Sequence, residues 1–344
     1  MVFKVGLLGL GTVGTGTAEI LLDPAQRHPL LQEIEIHRVG VRSLDKPHQV
    51  KLPASLLTTD LEAIVTDPEI DIVVEVMGGL EPARSLILQA IAHGKHVVTA
   101  NKAAIARYGD EIFTAANAAG VYVLLEAAVA GGIPVIEPLK QSLCGNRIQA
   151  ITGIVNGTTN YILTRMQAEG SDFAAVLADA QQLGYAEADP TADVDGLDAA
   201  DKLAILASLA FGGRIKLAEV HCEGIRKISA ADIAYAERLG FVIKLLATAR
   251  RVPDTPNSAS EQLQVRVHPT LVPHAHPLAS VNGVYNAILI EGEPVGQVMF
   301  FGPGAGSGPT ASAVVADILN IAAILKVGRD TVMRADGTPL LDPL

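Results

Sequence analysis

Short unbroken runs of Val, Ile and Leu recur through the first 125 residues. Three of them are followed by a segment whose apolar positions return at helical spacing. Runs of this kind bounded by glycines read as buried parallel strands joined by helices. The pattern predicts strands over 3–8 (FKVGLL), 34–41 (IEIHRVGV), 70–79 (IDIVVEVMGG), 96–102 (HVVTANK) and 121–125, the last ending at Glu126. It predicts helices through Ala18, Ile20, Leu21 and Leu22, from Pro82 to His93 with a stop at Gly94, and around 109–119. From Ile148 the rhythm changes. QAITGIV is a strand, and Asn156-Gly157-Thr158-Thr159-Asn160 is a polar turn with capping chemistry before the helix YILTRMQAEG. A helix over 172–183 leads to the acid-rich stretch 184–202, which runs into the apolar LAILASLAF; strands follow at 263–268, 284–290 and 295–300. RVPDTPNSASEQ (251–262) reads as a surface loop, and 301–319 as a glycine-rich loop opening a helix that returns the chain to its first domain and closes over a cofactor.

These elements predict an α/β protein with a dinucleotide-binding domain over 1–135 and 303–344. A second, α+β domain with an open sheet spans 136–302. A length of 344 residues agrees with two cores rather than one. Composition narrows the function. With 49% hydrophobic and 18% charged residues the chain is a buried globular protein, and with no Trp its core is aliphatic. A formal charge of −11 offers no basic footprint for nucleic acid or an anionic membrane. Two cysteines, Cys144 and Cys222, make no disulfide framework. The N-terminus lacks the features of a signal peptide, and no apolar run approaches the ~20 residues that span a bilayer. The expectation is a cytoplasmic protein.

Gly9-Leu10-Gly11-Thr12-Val13-Gly14 follows the first strand and opens the first helix. In that position the three glycines provide, in turn, a tight turn, room for a pyrophosphate, and close packing of helix on strand. A plain glycine-rich turn lacks that context, so Gly9, Gly11, Thr12, Val13 and Gly14 are candidate cofactor contacts in a Rossmann-type domain. NAD-binding versions usually end the second strand in Asp or Glu. Here Val41-Arg42-Ser43 stands there, with Lys46 shortly after. A cation and a hydroxyl suit a 2′-phosphate, which favours NADP over NAD and marks Arg42. Lys102, at the carboxyl end of its strand, has the address where ligands bind in open α/β sheets.

The stretch 184–202, GYAEADPTADVDGLDAADK, holds six acids and one lysine. A solvated face is the ordinary reading of such a run. Asp198 and Lys202 are four residues apart and share a helical face, which fits a surface ion pair as well as a site. His221, His268, His274 and His276 lack the spacing of a zinc site.

Taken together the motifs resemble homoserine dehydrogenase: GLGTVG at 9–14, TANK at 99–102, EAAVAGGIP at 126–134, NGTTNYIL at 156–163, the 184–202 block, and GPGAGSGPTA at 302–311. The resemblance covers nearly the whole chain, and the 184–202 block is its most specific part. It implies reduction of aspartate 4-semialdehyde to homoserine with a nicotinamide cofactor, on the route to threonine and methionine, by a homodimer. It places the general acid/base at Lys202, with Lys102 and Asp198 beside it, and substrate contacts at Glu187 and Asp198. Asp193 stays open, and Asp189, Asp195 and Asp201 keep the solvated reading. The resemblance implies cofactor contacts at Lys102, Gly184 and Gly302. It also implies a structural sodium ion on Glu126, Val129, Gly131 and Ile133, chiefly through main-chain oxygens. The chain ends at Leu344, short of the regulatory ACT domain that many bacterial members carry, so the resemblance implies either a natural short form or a truncation and puts threonine feedback in question. Two other readings compete. A phosphorylating semialdehyde dehydrogenase would need Cys144 as nucleophile, and SLCGN offers it no partner base. A non-catalytic dinucleotide sensor would leave the acid–lysine block without a purpose.

Overall fold

The structure, a computed structural model, describes residues 2–252 and 262–330. They form two compact units. One takes in the chain up to Asn101, Asp110–Leu125 and the chain from Ala311; the other takes in Lys102–Gly109 and Glu126–Thr310.

The first unit is built on six strands: β1 (Phe3–Leu8), β2 (Ile34–Gly40), β3 (Leu57–Thr58), β4 (Ile72–Glu75), β5 (His96–Thr99) and β6 (Val123–Leu124). All pair in parallel, in the order β3-β2-β1-β4-β5-β6. This is the doubly wound order of dinucleotide-binding sheets, which reverses direction between the strands flanking β1. Its helices are α1 (Thr12–Leu22), α2 (Leu61–Thr66) and α3 (Ala83–Ala92). The unbroken apolar runs follow from burial on both faces: Phe3, Val5, Leu7, Val73, Val74, Val97 and Val98 are inaccessible to solvent. Helix α4 (Lys102–Ala119) begins seven residues before the expected 109, and its first two turns belong to the second unit.

The second unit holds a mixed sheet of β7 (Arg147–Ile154), β8 (His221–Cys222), β9 (Phe241–Val252), β10 (Gln262–Pro273), β11 (Tyr285–Glu293) and β12 (Gly296–Pro303), in the order β12-β11-β7-β9-β10-β8. Every pair is antiparallel except β10 with β8. Helices α5 (Gly157–Glu169), α6 (Phe173–Gln182), α7 (Thr191–Val194), α8 (Leu197–Phe211) and α9 (Ala230–Arg238) complete it, and α5, α8 and α9 pack on the sheet. The expected loop at 251–262 has its ends in β9 and β10, and the residues between lie outside those described. Helix α10 (Ser307–Asp330) corrects one expectation. Over Ser307–Val327 it is long and apolar enough to cross a membrane, although half of that stretch is buried inside the protein and Asp317 within it is fully buried.

Lys244 lies on β9 with 1% of its surface exposed. Its ammonium donates to the carbonyl of Val281 at 2.6 Å, to Asn282 Oδ1 at 2.9 Å and to Asn160 Oδ1 at 3.3 Å. No carboxylate is among these partners, and burial pushes its pKa from 10.5 down to about 8. Below the folded value both states carry the proton and the penalty is complete. Between about 8 and 10.5 the unfolded chain binds more protons than the native one, so stability rises with pH there. The full swing is on the order of 3 kcal/mol. Urea midpoints measured across that range should climb for the native sequence and stay level for Lys244→Met.

Candidate active site

In the first unit the loop Gly9–Gly14 leaves β1 at the point where the strand order reverses. Gly14 has no room for a side chain, since a β-carbon there would stand 2.1 Å from the Gly9 carbonyl oxygen. At Gly11 the same atom would meet open space, and Gly11 and Thr12 are exposed. The N-cap of α1 is Gly11, which has no side chain to cap the helix. A tight turn, an open central glycine and an uncapped helix end fit a pyrophosphate. Beyond β2, Arg42 and Ser43 are exposed, with no carboxylate at the strand end. Beside this loop, Glu75 at the end of β4 is fully buried. Its Oε1 accepts from the amides of Met77 at 2.9 Å and Gly78 at 3.2 Å, and its Oε2 from Thr99 Oγ1 at 2.7 Å. Asn101 Nδ2 donates to the Gly79 carbonyl at 2.7 Å, closing a ring between the loops after β4 and β5. This ring fixes the Gly78-Gly79 pair.

In the second unit, the acid–lysine pair read from the sequence sits inside a larger cluster. Asp198 occupies the first turn of α8, where a carboxylate favours the helix dipole, and Lys202 lies one turn on. Lys202 Nζ donates to Asp198 Oδ2 at 2.7 Å and to the Val155 carbonyl at 2.7 Å. Lys102 Nζ, from the first residue of α4, is 3.0 Å from Asp198 Oδ1. One carboxylate thus joins both lysines. Asn156, the N-cap of α5, donates from Nδ2 to Asp198 Oδ2 at 2.9 Å and to Asp193 Oδ1 at 2.7 Å. Burial alone would raise the pKa of Asp198. Lys202 and Lys102 outweigh it and hold this carboxyl well below the usual range. Burial likewise works against charge on Lys102, and Asp198, Asp201 and Asp193 outweigh it, so its pKa rises.

The site residues expected from the sequence separate here. Lys102, Asp193, Asp198 and Lys202 come together, as described. Glu187 does not join their hydrogen bonds: it is exposed, and its carbonyl accepts from Gln181. Gly184 is exposed at φ +77° after α6, and Gly302 is the penultimate residue of β12, paired with Asn286. Asp201 departs from the solvated reading, since it is buried and its Oδ1 is 3.2 Å from Arg107 Nη1. Asn156 was legible as a cap but not as the partner of two acids that follow it by 37 and 42 residues. In the 126–134 loop, Glu126 spends its carboxylate on the amides of Val135, Ile136 and Glu137 at 2.6–2.8 Å. Ala130 and Gly131 follow with φ of +57° and +54°, and a β-carbon on Gly131 would strike the Gly304 carbonyl. Cys144 is exposed and its Sγ donates to the Gln141 carbonyl; no base joins that bond.

Comparison with known proteins agrees with both halves. Residues 9–126 match a family model described as the NAD-binding domain of homoserine dehydrogenase, and residues 134–319 one described as homoserine dehydrogenase. A homoserine dehydrogenase of Synechocystis is 70% identical over 344 residues, all of this chain and 77% of that protein. One of Corynebacterium glutamicum is 49% identical over 320 residues, 92% of this chain and 71% of that protein. The crystal structure of a homoserine dehydrogenase from Thiobacillus denitrificans superposes with a TM-score of 0.88 at 47% identity, covering 100% of this chain and 80% of that one. A hyperthermophilic archaeal homoserine dehydrogenase in complex with NADPH does so at 0.77 and 28% identity, covering 95% and 98%. The chain belongs to the homoserine dehydrogenase family, enzymes that reduce L-aspartate 4-semialdehyde to L-homoserine with NAD(P)H.

Proposed function

We propose that the cluster on Asp198 is the substrate half of the site and that Lys202 is its general acid/base. The observation that carries this is the single carboxylate shared by two ammonium groups. Reduction of the aldehyde places negative charge on its oxygen, and an adjacent ammonium stabilises that charge and then donates the proton. An ammonium has three donors, and Lys202 commits two of them to Val155 and Asp198, which leaves one for the substrate oxygen. Lys102 suits the substrate carboxylate or the cofactor. Asp198 and Asp193, with Glu187 brought in from the exposed loop, suit the substrate ammonium. When bound, the reduced nicotinamide supplies the hydride. The test is consumption of reduced cofactor with aspartate semialdehyde by the native enzyme and by Lys202→Ala; equal rates remove Lys202 from the mechanism.

We assign the dinucleotide to the first unit through Gly9, Gly11, Thr12, Val13, Gly14 and Arg42, with Lys102, Gly184 and Gly302 as further contacts, and the substrate to the second. NADP is the preferred form, supported by exposed Arg42 where a ribose-binding carboxylate would stand. A charge-assisted contact to a 2′-phosphate is worth about 1.5–3 kcal/mol. Arg42→Ala should therefore lower kcat/KM for NADPH by about 10-fold or more and leave that for NADH within about 2-fold. Equal losses with both cofactors would remove Arg42 from the choice.

A sodium ion is assigned to the turn of Glu126, Val129, Gly131 and Ile133. Two consecutive left-handed residues redirect the carbonyls of that turn, and hard cations take oxygen ligands. Because the Glu126 carboxylate is spent on three amides, its share would be the main-chain oxygen, and the ion would brace the loop. A homodimer is supported by edge strand β12, where Met299 and Phe301 are exposed and Phe301 stacks on exposed Tyr285 at 5.2 Å. A cytoplasmic setting agrees with the two unpaired cysteines.

A further inference from the structure

We infer that the Arg107–Asp201 pair is a positioning device that fixes Lys102 for the reaction. The inference rests on the reading above that Lys102 meets substrate or cofactor. Lys102 and Arg107 belong to the first two turns of α4, and Asp198 and Asp201 to the first two turns of α8. The same pair of helices is therefore bridged twice, by Lys102–Asp198 at 3.0 Å and by Arg107–Asp201 at 3.2 Å. A single bridge between two flexible side chains leaves a helix free to roll about its axis. A second bridge on the next turn removes that freedom. Arg107 is itself braced: its Nη1 also donates to the Ala103 carbonyl at 3.2 Å, and its own carbonyl accepts from Arg214 Nη2 at 3.1 Å.

Stability does not account for the pair. Asp201 is buried, with Ala199, Ala200 and Leu203 buried alongside it in α8. Burial pushes its carboxyl pKa above the usual range despite Arg107 and Lys102. A carboxylate less favoured in the fold than in water adds nothing to stability, and buried pairs of this kind are often replaced by apolar residues without loss. What the pair supplies is geometry and a second anion near Lys102, which otherwise answers to Asp198 and Asp193.

The experiment compares Arg107→Met/Asp201→Leu, Asp201→Asn, Arg107→Lys and Lys102→Ala with the native enzyme. It measures cofactor Kd, thermal midpoint, kcat and KM for aspartate semialdehyde, and the alkaline limb of kcat/KM. We expect the double variant to keep its midpoint and to lose about 10-fold in kcat/KM, within the range by which small misplacements of a reacting group reduce rates. Arg107→Lys, which keeps the charge, should recover part of that loss. Asp201→Asn should move the alkaline limb to lower pH, because Lys102 loses an anion; a purely structural role would leave the limb in place. A double variant with native kcat/KM, together with an unmoved limb in Asp201→Asn, overturns the inference. Where the double variant does not fold, the isosteric Asp201→Asn decides alone. If Lys102→Ala turns over at the native rate, the reading of the site fails first. If it is impaired while the Arg107 and Asp201 variants are not, only the positioning role fails.

Discussion

Replacing Lys202 by Met should reduce kcat by about 10²–10⁴-fold, the usual worth of a positioned general acid. The affinity for NADPH should change little. The substitution keeps the length of the side chain and removes its charge, so the loss reads the proton and not the packing. Two contacts are lost with it, those to the Val155 carbonyl and to Asp198 Oδ2. The buried carbonyl then lacks its donor, at a cost on the order of 1–3 kcal/mol, so some fall in thermal midpoint should accompany the loss of rate. Arg at this position keeps the charge but carries it on a wider planar fork, and it should restore stability better than turnover. Kinetics separate the two effects: single-turnover reduction of aspartate semialdehyde, followed by the absorbance of the reduced cofactor, reads the chemical step directly. If Lys202→Met and native enzyme share one single-turnover rate, the proton comes from elsewhere.

How much of this was legible in the sequence depended on the range of the interaction involved. The β1 strand and glycine turn were readable because each of their determinants lies within a few residues: an apolar run, three glycines, a helix start. The lysine four residues after Asp198 was readable for the same reason. Strand β9 was not read as a strand, although it runs for 12 residues through the middle of its sheet. FVIKLLATARRV is apolar on both faces with a lysine inside it, so it shows no alternation, and only the oxygens of Asn160, Val281 and Asn282 make a lysine tolerable there. The stretch 184–202 offered Asp193, Asp198 and Lys202, which the structure brings together, and its reading of Asp201 as solvated is overturned by burial. Taken alone its acids look alike, yet Asp198 and Asp201 are set apart by partners on another helix, and Glu187 stays exposed. Charge and spacing within a segment identify candidates; which of them are buried is decided by residues almost a hundred positions away.

Asp198→Asn should lower kcat/KM for aspartate semialdehyde by about 10²-fold or more and destabilise the second unit as well, because it leaves two ammonium groups without their shared anion. Removing one partner of a buried ion pair typically costs about 3–5 kcal/mol, since the remaining charge stays buried and unpaired. Here Lys202 and Lys102 would both lose that partner. Because Asp198 is the chief anion that raises the pKa of Lys102, the alkaline limb that Lys102 sets in kcat/KM should move to lower pH, whereas a simple loss of substrate affinity would leave it in place. The stability effect has a sign of its own. The folded pKa of Asp198 lies below the unfolded 3.8, so its contribution is complete above that value and is lost as pH falls through the folded one. Acid unfolding of the native enzyme should thus contain a component below pH ~3.8 that Asp198→Asn lacks. The acid limb of native activity must then arise from another group, because Asp198 stays ionised throughout the usual carboxylate range. Asn156 offers the internal control: Asn156→Ala removes one donor to Asp198 and the N-cap of α5 but leaves both lysines paired, and it should cost far less activity than Asp198→Asn. Equal losses in the two variants would mean that the cap, and not the shared carboxylate, organises the site.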